Sequence, residues 1–469
     1  MKLSAVLLAI VTAGLCGCSA EWSKEPLPTK YSLAENGCIT SEKSQAASGM
    51  CWAFTTIKCV ESSLLTRGYE TDAEKLDLSE NHLVWYTHDT ADAPITDATP
   101  DGVYIQPSYD GVKYYVGAGW LTSVSALASG IGPVCEEEMP FRAALKQMTK
   151  ETQKLADEGK TEKYGGEYLL CKAADLTGNS KAVKRSVMEN GALMIGYCYD
   201  KNSFQKGDPV TYRNAEPNEA NHAAAVIGWD DTIPKESFKN QPAHDGGWLI
   251  QDSAPNSLDC NTYYVAYDDP TIAFMGSMVM GKRADYGRIY QYDGVLDEGA
   301  DYMESFLSVK GVETRAANVF TAEEDGLLTA VGIWTSMPNQ QVTVSVCKDV
   351  PDGVPDGGQS AAEQKTVVGY AGYGIVELET PVQLKKGDTF SIVVSYRNCG
   401  DKGVLKVEGS GSDVDTGYVT VVSHFHSEKG ESYIWIDGSG WCDLSEENTA
   451  KLLGRDAVQN NACIKAFVR

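Results

Sequence analysis

The chain has 469 residues, 42% of them hydrophobic, and is therefore long enough to form two or three domains with apolar cores. Its formal net charge is -25, and its acidic residues are spread along the sequence in the manner of a solubilising surface. Because the phosphates of a nucleic acid repel such a surface, we exclude nucleic-acid binding as its function.

Residues 1–20 have the pattern of a secretory leader. A positive charge precedes an apolar run that is too short to span a membrane, and no other segment is apolar enough to do so. The run ends in the sequence LCGCSA, which resembles a bacterial lipobox with Cys18 as the lipid-attachment residue. Ordinary cleavage after Ala20 is the alternative. Residues 21–30 follow as a polar spacer, so we predict an exported chain whose only membrane contact is a lipid anchor.

One cysteine lies where a turn of small residues meets a helical pattern. The chain from Cys51 to Arg67 contains neither Gly nor Pro, and its apolar residues have helical spacing. A thiol in the first turn of a helix meets the positive end of the macrodipole and free backbone N–H groups, and both favour the thiolate. Gln45 lies six residues upstream, within reach of the same position. Cys51 is therefore a candidate nucleophile; a buried helical cysteine is the alternative, which a suitable downstream histidine would exclude.

The segment 45–54 carries a family resemblance. Its pattern Gln-x5-Cys-Trp-Ala-Phe resembles the catalytic helix of papain-like cysteine peptidases, where the family shows C-G-[SA]-C-[WY]. Ser48 stands at the family's first motif cysteine, so the usual disulfide partner is replaced. The segments 78–80 (LSE) and 132–141 (GPVCEEEMPF) resemble further parts of the family. The resemblance implies a two-lobed α+β domain, peptide-bond hydrolysis by a Cys–His pair, and Gln45 as an oxyanion donor.

Two glycines follow a segment rich in turn-forming residues. Residues 89–112 are rich in Asp, Pro, Thr and Gly, and we predict an irregular loop there. Gly117 and Gly119 come next, before a helix predicted over 121–129. The family has a Gly-Gly segment here as one wall of the substrate cleft, and glycine lets another backbone approach closely. The resemblance therefore makes both glycines candidate substrate-binding residues, with an ordinary loop pair as the alternative.

The segment 221–231 (NHAAAVIGWDD) is a polar pair that leads into an apolar strand. A histidine at the mouth of a buried strand is held rigidly and still reaches the surface, which suits a general base. The segment resembles the N-H-A-V-x-I-V-G-W-D-D strand of bacterial papain-like peptidases. The resemblance therefore makes His222 the partner of Cys51.

The third catalytic segment departs from the family pattern. Residues 246–256 (GGWLIQDSAPN) resemble the family's W-L-I-K-N-S-W-G, with Asp252 at the position of the orienting Asn. Ala254 stands where the family has the tryptophan that shields the His–Asn contact. A carboxylate can hold an imidazole N–H and stabilise the imidazolium, as in serine-type triads. Asn256 is a second candidate for this role. The catalytic candidates are Gln45, Cys51, His222 and Asp252.

From residue 286 onward the pattern changes to short alternating apolar runs separated by Gly, Asp and Pro. Runs such as 327–334 and 389–396 at this spacing are typical of an all-β sandwich. The stretch 317–394 resembles the lectin-like domain that follows papain-like domains in some bacterial surface proteins. We therefore predict a papain-like α+β domain at 31–285 and a lectin-like β-sandwich domain at 286–469.

The other features of the sequence limit the cofactors and partners. An exported chain with this many cysteines permits disulfides, but spacing gives no connectivity, and no C-x-x-C pair supports a zinc site. We expect no cofactor and no metal, protein or peptide substrates, and a candidate cell-surface ligand for the β domain. The predicted function is an exported bacterial cysteine endopeptidase, extracellular or at the cell surface as a lipoprotein. The alternative is a catalytically impaired papain-like surface protein that acts as an adhesin or binding module.

Overall fold

The structure is a computed structural model. It describes residues 25–96, 98–254, 260–296, 306–307, 313–397, 405–408, 414–415, 418–454 and 461–469. The predicted leader, the lipid-attachment candidate Cys18 and the alternative candidate Asn256 lie outside these residues. Within the described ranges, no helix combines the length and the apolar character needed to cross a membrane.

The helix Cys51–Thr66 is the centre of the first domain, and it begins at the predicted residue. Every side chain from 52 to 65 is buried, so this is a central helix rather than an amphipathic surface helix. It packs against the strands His222–Asp230 and Phe274–Lys282. Its N-terminus is therefore held firmly between the two lobes of the domain.

A buried ion cluster fixes the chain segment that leads to this helix. The carboxylate of Glu61 accepts hydrogen bonds from the Thr40 hydroxyl (2.5 Å), the Lys43 ammonium (3.1 Å) and the backbone N–H of Leu78 (2.8 Å). Burying a charge is costly unless such partners surround it. The cluster therefore ties residues 40–43 to the helix, a few residues before Cys51.

Three other helices, Glu80–Thr87, Trp120–Ala128 and Ser180–Asn190, contact the central helix. Ser79 caps the second helix, since its hydroxyl oxygen accepts a hydrogen bond from the backbone N–H of His82 (2.9 Å). The helix predicted over 121–129 is found at Trp120–Ala128. The remaining described α-helices are Glu80–Thr87, Leu145–Asp157, Ser180–Asn190 and, in the second domain, Glu447–Leu452.

The β lobe of the first domain is a mainly antiparallel sheet. In spatial order its strands are Tyr168–Asp175, Phe274–Lys282, Leu193–Tyr197, His222–Asp230, Gly247–Gln251, Thr262–Ala266, Thr211–Tyr212 and Phe204–Gln205. The short strand Lys30–Ser32 pairs with His222–Asp230, so the end of the predicted spacer 21–30 contacts this sheet.

The second domain is a sandwich of two sheets that share one core. One sheet has the order Gln359–Val368, Gln340–Lys348, Thr389–Arg397, Glu313–Thr321, Ser432–Ile436 and Gly440–Asp443. The other has the order Arg288–Tyr290, Lys465–Val468, Gly326–Thr335 and Gly372–Leu384. Val344 and Ile392 of the first sheet and Val331 and Val376 of the second are buried in the shared core. Alternating runs therefore form two facing sheets, as predicted.

One sheet continues from the first domain into the second. Lys172 pairs with Gly374 across the boundary, and the backbone N–H of Asp175 donates to the carbonyl of Ala371 (2.9 Å). Gly372 has a φ of 136°, and a Cβ there would lie 2.2 Å from the carbonyl oxygen of Ala173. Only glycine fits this approach of the two backbones.

A second strand pairing joins the domains beside the region 89–112. The strand Gly102–Gln106 pairs antiparallel with Thr420–His424, and His426 Nδ1 lies 2.6 Å from Asp101 Oδ1. Our prediction of an irregular loop was therefore wrong in part. The partner strand lies far downstream, so no local pattern could reveal the pairing. The other short described strands are Asp89–Thr90, Phe306–Leu307, Leu405–Lys406 and Val414–Asp415.

Candidate active site

Cys51 is the first residue of the central helix, and its side chain is partly exposed while the residues after it are buried. Its thiol makes hydrogen bonds to the His222 imidazole and to the backbone N–H of Ala223. Burial raises the pKa of the Cys51 thiol, but the hydrogen bond and positive charge of His222 outweigh it, so that the net pKa is lowered. The site therefore favours the thiolate, the nucleophilic form.

His222 begins its strand, as predicted, and lies between Cys51 and Asp252. The Nε2 atom of His222 is 2.8 Å from Oδ1 of Asp252, and the two side chains are 7% and 0% exposed. Since Nε2 is engaged by the carboxylate, the other ring nitrogen is left for the thiol. The structure thus brings three of the catalytic candidates into one chain of contacts.

The charges in this chain support one another. Burial lowers the pKa of His222, but the charge and hydrogen bond of Asp252, together with Cys51, raise it from 6.5 to about 10. Burial likewise raises the pKa of Asp252, while the His222 charge and three hydrogen bonds lower it overall. The arrangement therefore holds a thiolate, an imidazolium and a carboxylate in a row.

Two donors besides His222 bond the buried carboxylate of Asp252. The backbone N–H of Ala254 donates to Oδ1 (2.9 Å), and the Tyr263 hydroxyl donates to Oδ2 (2.8 Å). The hydroxyl oxygens of Tyr263 and Tyr197 are 2.6 Å apart. Asp252 therefore replaces an amide with a carboxylate whose two oxygens are both satisfied.

Tyrosine rings cover the His222 imidazole. The centroids of the Tyr197 and Tyr199 rings lie 5.7 and 5.4 Å from that of His222, in edge-to-face contact. Ala254 supplies no ring at the position of the tryptophan implied by the resemblance. The shielding of the His222–Asp252 contact comes instead from rings on and next to the strand Leu193–Tyr197.

Gln45 is buried next to Ser253, the residue that follows Asp252. The Ser253 hydroxyl donates to Gln45 Oε1 (2.9 Å), and the backbone N–H of Gln45 donates to the Ser253 carbonyl (3.0 Å). Gln45 Nε2 donates to the Ser48 carbonyl (2.9 Å). A primary amide has two N–H donors, so one remains for an oxyanion.

This arrangement agrees with the comparison of the chain with protein families. A model of the family described as papain family cysteine protease matches residues 27–263, just over half of the chain. The chain belongs to the papain family of cysteine proteases. A second model, described as a lectin-like domain, matches residues 289–468.

Relatives with known structures confirm the predicted order of folds. A structure of the clostridial cysteine protease Cwp84 after propeptide cleavage is 23% identical, with a TM-score of 0.71, over 94% of this chain and 99% of that one. A structure of the cysteine protease and lectin-like domains of Cwp84, a surface layer associated protein of Clostridium difficile, has 23% identity and a TM-score of 0.70 over 96% of this chain and 91% of that one. Both show the fold: a papain-like domain followed by a lectin-like β domain.

One curated relative matches a little under half of the chain. Procathepsin L of Rattus norvegicus is 23% identical over 215 residues, which are 44% of this chain. The chain spans about half of that protein, 53% of its length. The predicted class, a papain-family cysteine protease with an added lectin-like domain, is confirmed by the two family matches.

The segment that leads to the predicted cleft wall packs against the turn that precedes Cys51. The backbone N–H of Gly49 donates to the Tyr114 carbonyl (2.8 Å), and a Cβ on Gly49 would lie 2.6 Å from the Tyr115 carbonyl oxygen. Gly117 is exposed, with open space where a Cβ would be. Gly119 is instead buried at the start of a helix. Of the two glycines, Gly117 therefore has the open face that a peptide backbone needs.

An apolar pocket of about 460 Å³ lies next to Gly117 and contains residues of both domains. Tyr109 and Tyr115 of the papain-family domain are 46% and 52% exposed, and Tyr418 of the lectin-like domain is 90% exposed. The strand that follows Tyr418 is the one that pairs with Gly102–Gln106. The lectin-like domain thus contributes the Tyr418 side chain to the pocket beside Gly117. The pocket is lined by Tyr109, Val112, Tyr115, Val116, Gly117, Tyr418 and Val419.

Sequence reasoning missed Ser253, Tyr263, Tyr197 and Tyr199. Ser253 was recognisable, since it immediately follows Asp252 in a segment that matches the family. The tyrosines were not, because Tyr197 lies opposite His222 and Tyr263 opposite Ile250 only through strand register.

The cysteines outside the site bear on the disulfides that an exported chain permits. The structure holds Cys38, Cys59, Cys135, Cys198, Cys347, Cys442 and Cys463 as thiols. Burial and several acidic neighbours raise the pKa of Cys135, an exposed thiol. The pKa of Cys135 is thus shifted in the opposite direction to that of Cys51.

Proposed function

We propose that this protein is an exported bacterial cysteine endopeptidase that hydrolyses peptide bonds with Cys51 and His222. The observation that carries the proposal is the contact of a helix-terminal thiol with an imidazole that a buried carboxylate holds at 2.8 Å. Family membership supports the reaction class, and this geometry supports the choice of Cys51 and His222.

In the proposed reaction the Cys51 thiolate attacks the carbonyl carbon of the scissile peptide. The C–N bond breaks as the His222 imidazolium gives its proton to the leaving amine, leaving a thioester on Cys51. His222 then takes a proton from water, the hydroxide attacks the thioester, and the acid product leaves as the thiolate re-forms. The backbone N–H of Cys51 and the free N–H of Gln45 would stabilise the oxyanion of each tetrahedral intermediate.

The substrate would lie along Gly117, where a peptide backbone can approach. We propose that an apolar side chain of the substrate enters the pocket formed by Tyr115 and Tyr418. Gly119 takes no direct part, because it is buried. Both domains would thus take part in binding the substrate, and we place the boundary between them after residue 285.

We further propose that the protein works at the cell surface. The leader at 1–20, with Cys18 as the lipid-attachment residue, would export and anchor it. Its structural relative Cwp84 is described as associated with a surface layer. The lectin-like domain would then bind a cell-surface ligand.

The test compares two thiols of the same chain. Purified full-length protein is treated with limiting iodoacetamide under mild reduction, and the labelling rates of Cys51 and of the exposed Cys135 are read by peptide mass spectrometry. His222→Ala and Cys51→Ala are the control variants, and cleavage of a mixed-peptide library is followed in parallel. We expect Cys51 to be labelled at least tenfold faster than Cys135, only when His222 is present, together with cleavage.

Equal labelling of the two thiols, with no cleavage, would overturn the proposal. That outcome would favour the alternative, in which the papain-like domain is a scaffold and the protein is an adhesin or binding module. The departures of Asp252 and Ala254 from the family pattern are the features that this alternative would then explain.

A further inference from the structure

The Asp252 carboxylate lies at the end of a chain of two tyrosine hydroxyls. Tyr263 donates to Asp252 Oδ2 at 2.8 Å, and the hydroxyls of Tyr263 and Tyr197 are 2.6 Å apart. Both tyrosine side chains are fully buried, at 1% and 0% exposure. A buried hydroxyl placed in this way has few alternative partners.

The direction of the hydrogen bonds in this chain is fixed by counting protons. A phenol has one O–H, and that of Tyr263 is used by Asp252. The bond between the two hydroxyls must therefore be donated by Tyr197 and accepted by Tyr263. Each donation polarises the next, so the Tyr263 hydroxyl is a stronger donor to the carboxylate than an isolated phenol would be.

We propose that Tyr263 and Tyr197 are positioning residues that keep Asp252 ionised and aimed at His222, so that a carboxylate works where the family has an amide. The proposal deepens the proposed function and rests on it. An asparagine at position 252 would present an N–H where Asp252 presents Oδ2. The Tyr263 hydroxyl could accept a hydrogen bond from that N–H, whereas it donates one to the Asp252 carboxylate. The hydroxyl pair thus makes the site compatible with a carboxylate.

The other titratable groups around Asp252 do not duplicate this role. Lys43 and Lys58 line a small cavity beside it, but Lys43 bonds Glu61, Glu80 and Asp77, and Lys58 bonds Thr40 and Ser41. Among the described residues, those whose titration is coupled to Asp252 include Cys51, Tyr197, Tyr199, His222 and Tyr263.

The decisive variant is Tyr263→Phe, and the measurement is the rate of Cys51 alkylation on the acid side of its pH profile. Losing one hydrogen bond raises the pKa of Asp252, so the carboxylate protonates earlier as the pH falls. His222 then loses its counter-charge and its charged hydrogen-bond acceptor, so its imidazolium is held less firmly beside the Cys51 thiolate and alkylation slows. We expect the acid limb of the Cys51 alkylation rate to move up by about 1 to 2 pH units, the effect of one hydrogen bond to a charged group.

Two controls separate this role from general loosening of the fold. Tyr212→Phe removes another buried hydroxyl of the same aromatic cluster, one that donates to the Cys198 carbonyl rather than to Asp252. Its acid limb should stay in place. In an Asp252→Asn background no carboxylate titrates, so adding Tyr263→Phe should leave the acid limb unmoved as well. Tyr197→Phe, which removes only the outer donor, should give a smaller shift in the same direction as Tyr263→Phe.

A second readout does not depend on catalysis. The ring-nitrogen NMR signals of His222 in the full-length protein should show an acid inflection when Asp252 protonates, and this inflection should rise in Tyr263→Phe. An inflection unmoved in both Tyr263→Phe and Tyr197→Phe overturns the inference, even if the protein cleaves peptides. Absence of His222-dependent thiol reactivity in the wild type would instead overturn the proposed function, and the two failures are therefore distinguishable.

Discussion

The charge on Asp252 should set the alkaline limit of activity, and the variant Asp252→Asn tests this. The pKa of His222 is raised from 6.5 to about 10, a difference of about 5 kcal/mol in favour of the imidazolium. Cys51 contributes part of that difference and would remain in the variant. A neighbouring opposite charge is worth about 1 to 3 pKa units. Removing it lowers the pKa of His222, so the imidazolium is lost earlier as the pH rises.

We therefore expect Asp252→Asn to keep activity near neutral pH and to lose it about 1 to 3 pH units earlier on the alkaline side. The assay is the rate of Cys51 alkylation, or kcat/KM for a cleaved peptide, between pH 4 and 11. Asp268→Asn is the matched control, since Asp268 pairs with Arg213 (3.0 Å) outside the site.

One pair of results would refute this role of Asp252. An unchanged alkaline limb in Asp252→Asn, together with full activity in Asp252→Ala, would show that position 252 neither charges nor orients His222. Asn256 would then become the next candidate to test.

Three further predictions concern the oxyanion donor, the pocket and stability. Ser253→Ala should lower kcat about fivefold to tenfold with little change in KM, because Gln45 loses a bond worth ~1 kcal/mol; equal kcat would contradict this. Tyr418→Ala should raise KM about tenfold for peptides with an apolar residue before the scissile bond and leave glycine-containing analogues unaffected, since only the former bury surface there; equal changes for both would argue against the pocket. Burial lowers the pKa of His88 from 6.5 to about 3. Below pH 6.5 the unfolded chain therefore binds a proton at His88 that the folded chain does not bind, and the free energy of unfolding falls. His88→Phe should therefore remove ~2 kcal/mol of the loss in unfolding free energy between pH 7 and pH 5, measured by urea titration beside the exposed control His244→Phe; the same pH dependence in both would contradict it.

The sequence predicted those parts of the site that are carried by continuous segments. Cys51 begins its helix and His222 its strand because each lies where a turn meets a regular apolar pattern, which can be read locally. The tyrosines around Asp252 could not be found in this way. Tyr263 reaches the carboxylate from a neighbouring strand, and pairing register depends on loop lengths that no local pattern encodes.

The same distinction holds for the whole fold. Alternating runs predicted a β sandwich after residue 286, because each strand buries one face. They did not predict that the strand Gly102–Gln106 pairs with Thr420–His424, since its partner belongs to the other domain. Pairings between domains are decided by tertiary contacts, and composition between 89 and 112 indicated only turns.

The two strand pairings between the domains bear on how such a protein would select its target. A flexible linker lets a tethered enzyme reach every bond within a sphere set by the linker length. Here Lys172 pairs with Gly374, and Ile105 with Val421, so no slack separates the domains at these points. A ligand bound to the lectin-like domain would therefore be held at a fixed distance and a fixed angle from the Cys51 thiol. The fixed geometry would then select which segment of a neighbouring protein chain reaches the cleft. The specificity of the pocket would only decide which peptide bond within that segment is cleaved.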